Sequence, residues 1–289
     1  MTDILATTLG LGALYAASAV SLALIWGTFG MLNLAHGAFI TVGAYASLLV
    51  VRDLGMPWWT GVFAGAAGGA TIGALTHILL VSRVFARPAF EINIIILTMA
   101  AATIMVDGIN NLIGPATARQ PFSIDGRIAF GATSIAWQTV MMIAISVALT
   151  AALTLVLRHT ALGRSINAVA QEPTAARLNG IAVGRIVLKV MMISGAVAGV
   201  SGVLITHGTA VYPTVGQDPL LKALIICVIG GLGSIPGAVV AAFLLAFLET
   251  LAQYELGTKW GSPVLLIAVV AVLVLRPNGL FGTRDIARN

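Results

Sequence analysis

ILATTLGLGALYAASAVSLALIW, residues Ile4 to Trp26, carries no charged side chain and is long enough to cross a bilayer as a helix, which takes about 20 residues. Inside the hydrocarbon layer there is no water, so every peptide N–H and C=O must find its partner within the protein. An open sheet would leave backbone groups unpaired, so the run is read as a helix. Only Asp3 and no basic residue precedes it, so it is expected to be a retained first span rather than a cleaved signal peptide.

Working outward, apolar runs of this kind recur along the whole chain. Hydrophobic residues make up 59% of the sequence and charged residues 9%, against about 25% charged in a soluble domain. This composition leaves no room for a sizeable soluble domain. The expected fold is therefore all-α, one polytopic membrane domain over residues 1–289. The segments are Ile4 to Trp26, a shorter run ending at Val51, a Gly- and Ala-rich run ending near Val81, Ile92 to Ile113, Ile135 to Leu157, Val187 to Val211, Leu220 to Gly230, Ala238 to Leu251 and Trp260 to Leu275. They amount to nine passes, or eight if the segment before Gly230 re-enters without crossing. Gly114 to Ser134 reads as a loop with strand-like turns.

Two interruptions rich in glycine break the pattern. The first, Asn33 to Gly37 within GMLNLAHGAF, reads as a broken helix or tight hairpin; the second is Gly230 to Gly237, GGLGSIPG. Asn33, His36 and Gly37, together with Gly230, Gly231, Gly233 and Ser234, either satisfy freed backbone groups or line a path. Paired breaks in two halves of a transporter point to a central pathway.

The single long polar interval, RHTALGRSINAVAQEPTAARLNGIAVGRIVLK (Arg158 to Lys189), reads as two short helices. Leu162, Ile166 and Val169 share one face of the first, with Arg164, Asn167 and Gln171 opposite. Glu172 precedes a proline and ends that helix, Pro173 opens the second, and Asn179-Gly180 stops it. Neither piece spans a bilayer. On its own the interval is either an interfacial connector or a functional surface.

Charge orients the chain. Arg83, Arg87, Arg158, Arg164, Arg177, Arg185, Lys189, Arg276, Arg284 and Arg288 share one side if the polar interval, the short loop from Ser82 to Glu91 and the C-terminal tail do. That is ten of fifteen basic residues, which makes this side cytoplasmic. Nine passes then place the N-terminus outside and the C-terminus inside. The net charge of +5 does not indicate nucleic acid, because the basic residues lie between spans rather than in a patch with aromatics.

No residue set suggests catalysis. Lys189, Lys222 and Lys259 are followed by Val, Ala and Trp, so no lysine completes a P-loop. His36, His77, His159 and His207 lack metal-ligand spacing, and Cys227 is alone in an apolar run. The chain is expected to be no enzyme and to hold no metal or cofactor. A third polar set remains: Asp107 with Asn110 and Asn111, Asp218 with Lys222, and Glu249 with Gln253. Their i, i+3 and i, i+4 spacings fit local pairing at helix ends or an outer vestibule.

Four segments in order, GMLNLAHGAFITVGAYAS (Gly30 to Ser47), GRSINAVAQEPTAARLNGI (Gly163 to Ile181), KALIICVIGGLGSIPGAVV (Lys222 to Val240) and RPNGLFG (Arg276 to Gly282), resemble the membrane permease subunits of branched-chain amino acid ABC importers, in the shorter of the two permease types. Ala38 departs from the acidic residue many members carry there, and Asn167 from a common basic one. Relatives also move urea, short amides and other amino acids. The resemblance implies a bacterial inner-membrane protein paired with a second permease, two cytoplasmic ATP-binding subunits that bind the ATP, and a periplasmic or other extracytoplasmic substrate-binding protein. It also implies that Gly163, Arg164, Asn167, Gln171, Glu172, Arg177 and Gly180 belong to a coupling segment within residues 158–189 that docks on the ATPase. A stand-alone secondary carrier or channel is the alternative; it calls for a charged relay at mid-membrane.

Overall fold

The computed structural model describes residues 2–85, 90–120, 126–130, 133–276 and 278–281. Arg87, Arg284 and Arg288 of the basic set, and Pro277 and Gly282 of the RPNGLFG motif, lie outside these residues. Seven helical stretches are long and apolar enough to cross a membrane: Ile4–Phe29, Trp58–Val84, Ile92–Leu112, Trp137–His159, Val183–Gly208, Ile235–Glu255 and Thr258–Leu275. They belong to α1 (Thr2–Phe29), α3 (Trp58–Thr76) with its continuation to the short α4 (Ser82–Val84), α5 (Phe90–Leu112), α6 (Trp137–His159), α9 (Val183–Gly208), α11 (Ile235–Glu255) and α12 (Gly261–Leu275).

The other two of the nine expected segments are shorter. Helix α2 (His36–Leu48) has 13 residues and α10 (Gln217–Gly230) has 14, about 20 Å each at 1.5 Å per residue, against a hydrocarbon layer of about 30 Å. A π-helical turn, Leu49–Asp53, extends α2. Both fall short because a non-helical segment precedes each of them. Residues 30–35 lead into α2, and residues 209–216 lead into α10. The polar interval folds as two helices, α7 (Ala161–Gln171) and α8 (Pro173–Leu178).

Buried helix α1 is the central strut. It packs against α11, α9, α6 and α10. Around it, α9 crosses α3 and α2 at backbone contact: a methyl group on Gly69 would run into the Gly195 carbonyl oxygen, one on Gly195 into that of Gly69, and one on Gly43 into Gly199. Small residues permit this approach, which gains dispersion contacts where lipid supplies no hydrophobic drive.

Two ends of the bundle can be told apart. At one, Gly27 meets Gly233, Phe29 stacks edge-on against Phe85, and Arg158 and Arg164 stand near Gly233. This is the basic end. At the other, β1 (Ala118–Arg119) pairs antiparallel with β4 (Ala210–Val211), and β2 (Arg127–Phe130) forms a hairpin with β3 (Thr133–Ala136). Gln120, buried beneath them, donates to the Ala44 carbonyl at 3.2 Å.

Replacing Gly195 with valine is expected to destabilise the protein by about 1–3 kcal/mol, as overpacking does. Gly108→Ala, where nothing lies within 4 Å of the added methyl, should instead be neutral or stabilise by up to about 1 kcal/mol. Thermal unfolding of both variants in detergent checks the pair.

Candidate functional site

At the basic end the polar interval is held rigidly. Thr160 caps α7, its Oγ1 accepting from the Gly163 N–H at 3.2 Å, and Glu172 caps α8, accepting from the Thr174 N–H at 3.1 Å. Pro173 occupies the first turn of α8, and Gly180 ends it at φ 81°. Ile166 and Val169 are buried in the core with Val183 and Val187. Arg164, Asn167, Gln171, Glu172, Arg177 and Gly180 are exposed, and Arg164 and Asn167 also line a cavity beside α7. Gly163 does not join them. It is buried, and a methyl there would strike the Leu157 carbonyl, so its place is structural. The residue that pattern reasoning missed is Leu178, 86% exposed on α8 beside Arg177. Its signal was present, an apolar side chain two places from the buried Ala176 on a six-residue helix.

The second break lies at this same end. Gly231 and Gly233, at φ 100° and 84°, turn the chain from α10 into α11, and the Ser234 Oγ caps α11 by accepting from the Gly237 N–H at 3.1 Å. Gly230 packs directly on Gly237. The C-terminal motif closes over the turn: Leu280 N–H donates to the Ile229 carbonyl at 2.7 Å and Phe281 N–H to that of Gly230 at 3.1 Å. A cavity of about 440 Å³ separates the turn from α7, lined by Gly27, Thr28, Arg158, Arg164, Asn167, Gly233 and Ser234 among others. Three motifs distant in sequence thus meet at one place.

The first break lies elsewhere. Gly30, at φ 64°, turns the chain at the end of α1. Asn33 Oδ1 accepts from the Ala35 N–H at 3.0 Å, Leu34 N–H donates to Thr98 Oγ1 at 3.2 Å, and His36 Nε2 lies 3.2 Å from Ser21 Oγ. Asn33 and His36 are fully buried: Asn33 satisfies the backbone N–H of Ala35, and His36 joins α2 to α1 through Ser21. Gly37 sits against the Gly216 carbonyl and Leu220, and with Leu34, Ala38, Thr41, Asp107, Thr214 and Gln217 it borders a groove of about 410 Å³.

The third polar set divides. Lys222 Nζ donates to Glu249 Oε1 at 2.9 Å and to Tyr15 Oη at 2.7 Å, Tyr15 donates to Glu249 Oε2 at 2.7 Å, and Gln253 donates to Glu249 at 3.1 Å. Asp218 completes the cluster 3.4 Å from Lys222. Glu249 is only 2% exposed, so α1, α10 and α11 are fastened by a buried ion pair rather than by exposed helix-end charges. Asp107 joins the Gly37 groove instead, while Asn110 and Asn111 are exposed at the end of α5.

Seven helices long and apolar enough to cross a membrane, with half-length helices that begin within the bundle and a two-helix segment on its basic end, define a multi-pass membrane protein. The chain belongs to the family described as the permease component of the branched-chain amino acid transport system, whose family model matches residues 4–275. The high-affinity branched-chain amino acid transport system permease protein LivH of Escherichia coli K12 is 28% identical, over 96% of this chain and 94% of its own. BraD of Pseudomonas aeruginosa, of the same description, is 26% identical over 97% and 95%. The solved structure of PsaBC from Streptococcus pneumoniae in complex with Fab shares the fold, with a TM-score of 0.53 and 13% identity over 94% of this chain and 90% of that one.

Removing one charge of the buried pair should cost about 3–5 kcal/mol, because the other is left uncompensated. Glu249→Gln and Lys222→Met are each expected to lower the thermal midpoint strongly. The double variant should recover much of the loss, as a double-mutant cycle in detergent would measure.

Proposed function

We propose that this chain forms one half of the membrane path of an ABC importer for branched-chain amino acids in the bacterial cytoplasmic membrane. A second permease subunit completes the path, two cytoplasmic ATP-binding subunits bind and hydrolyse the ATP, and an extracytoplasmic binding protein delivers the substrate. The carrying observation is the rigid, exposed α7–α8 surface on a chain that belongs to a permease family. Arg164, Asn167, Gln171, Glu172 and Arg177, with Leu178 as an apolar knob, would meet the ATPase. Because α7 packs on α1, α6 and α9, a displacement of the surface reaches the central strut directly. Asn33, His36 and Gly37 support the groove between α2, α5 and α10, which is the best candidate for this chain's share of the path. Its wall is mostly aliphatic with a few hydroxyl groups and Asp107, suited to a small apolar side chain carried on a zwitterionic head. Asp107 and the exposed Asn110 and Asn111 would lie on its outer approach.

A stand-alone secondary carrier is the second reading. The observation favouring it is the buried Lys222–Glu249 pair, a charged couple within the helical bundle. Vesicle uptake separates the two readings: the importer needs ATP and the binding protein, and a carrier needs neither. Charge reversal at Arg177, which is exposed and not part of the cavity lining, should abolish co-purification with the ATPase and reduce ATP-dependent uptake more than tenfold while leaving the thermal midpoint unchanged. Undiminished assembly would sink the coupling role.

A further inference from the structure

The cavity at the basic end continues into a second space. Thr154, Arg158, Ile235 and Pro236 line both the cavity of about 440 Å³ and a neighbouring groove of about 610 Å³ between α1, α6 and α11. The two spaces differ in chemistry. The cavity is lined by the polar residues Arg158, Arg164, Asn167 and Ser234. The groove is walled by Ala13, Ala16, Val147, Leu155, Val240 and Phe243. Val147, Leu155 and Val240 are each about half exposed, so the groove is open on the flank of the bundle, toward lipid.

Neither arginine has a carboxylate partner among the described residues, whose ion pairs are Arg52–Asp53 and those of Lys222. Glu172, the acidic residue of the coupling segment, is engaged as the cap of α8. Two arginines with no acidic partner among the described residues therefore line a cavity that runs into an apolar groove. A soluble anion would use the first space and leave the second idle. A molecule with a phosphate at one end and a hydrocarbon chain at the other uses both.

We infer that this composite cavity binds an anionic glycerophospholipid of the cytoplasmic leaflet, its phosphate between Arg158 and Arg164 and one acyl chain along α6 and α11. Basic pockets between helices on the cytoplasmic side are suited to such headgroups, and each arginine near an anionic surface contributes about 1 kcal/mol. The bound lipid would bridge α6, α7 and α11, the elements that also carry the coupling segment and the Gly230–Gly237 turn. The inference rests on the basic end facing the cytoplasm and not on the importer reading, so a binding assay without transport tests it separately.

The assembled protein is extracted from nanodiscs of mixed phosphatidylglycerol and phosphatidylcholine, and the retained lipid is identified by native mass spectrometry. Selective retention of phosphatidylglycerol is expected, reduced about fivefold by Arg158→Gln, the equivalent of one lost charge contact. Leu155→Trp, which fills the groove and leaves the arginines in place, should also lower retention. Inorganic phosphate at millimolar concentration should not displace the lipid. Equal retention of the two lipids, or retention unchanged in both variants, overturns the inference. Full displacement by phosphate does the same by identifying a soluble-anion site, as does lipid held by the isolated chain and excluded from the assembly, where a partner subunit would then cover the groove.

Discussion

A peptide group in hydrocarbon must be bonded within the protein, because leaving it bare costs several kcal/mol. Unbroken helices meet that condition by themselves. The two half-length helices do not, and the tertiary structure around them is arranged accordingly. Where the chain returns from α1 to α2, Asn33 and Thr98 supply the acceptors that the backbone lacks. Where it enters α10, the Gly216 N–H donates to Thr41 Oγ1 at 3.1 Å. Each irregular segment is thus answered by a side chain from another helix, which fixes α2 against α5 and α10. The groove bordered by Gly37, Thr41, Asp107 and Gln217 exists because these helices start inside the bundle and leave space beyond their ends.

Helix α1 joins both regions. Ser21 faces His36 of the first break and accepts through its carbonyl from Ser194 of α9 at 2.8 Å, while Gly27 backs the turn at Gly233. Tyr15, on the same helix, holds both Lys222 and Glu249. One central helix therefore touches the groove, the ion pair and the turn beside α7.

The helical class, the seven long spans and the two helices of the polar interval were legible because each is encoded locally. Apolar length marks a span, Pro173 and Gly180 mark the limits of α8, and Ile166 and Val169 mark the buried face of α7. The shortness of α2 and α10 was legible in part, in the shorter run ending at Val51 and in Leu220 to Gly230; that both start inside the core was hidden, since apolar residues line a helix that begins there just as they line one that crosses. The spacing of Asp218 and Lys222 exposed their pairing, but the bond from Tyr15 to Glu249 joins residues 234 positions apart and left no periodic trace. The Gly230–Gly237 motif was recognisable as a break. Its place beside Arg164 became visible only once α1 and α7 were packed, because no local pattern says which end of a bundle a turn occupies.

The crossing of α9 with α3 has a mechanical consequence. Gly69 and Gly195 meet backbone to backbone, so no side chain there can change rotamer and let the helices slip by a small amount. The next position offering the same fit is one glycine step away, from Gly195 to Gly199, about 6 Å along the axis. Such an interface has detents rather than a continuous slide, and α3 and α9 travel as one body. Relative motion within the subunit is left to its joints: the loop between α2 and α3, and the turn that the C-terminal tail clasps.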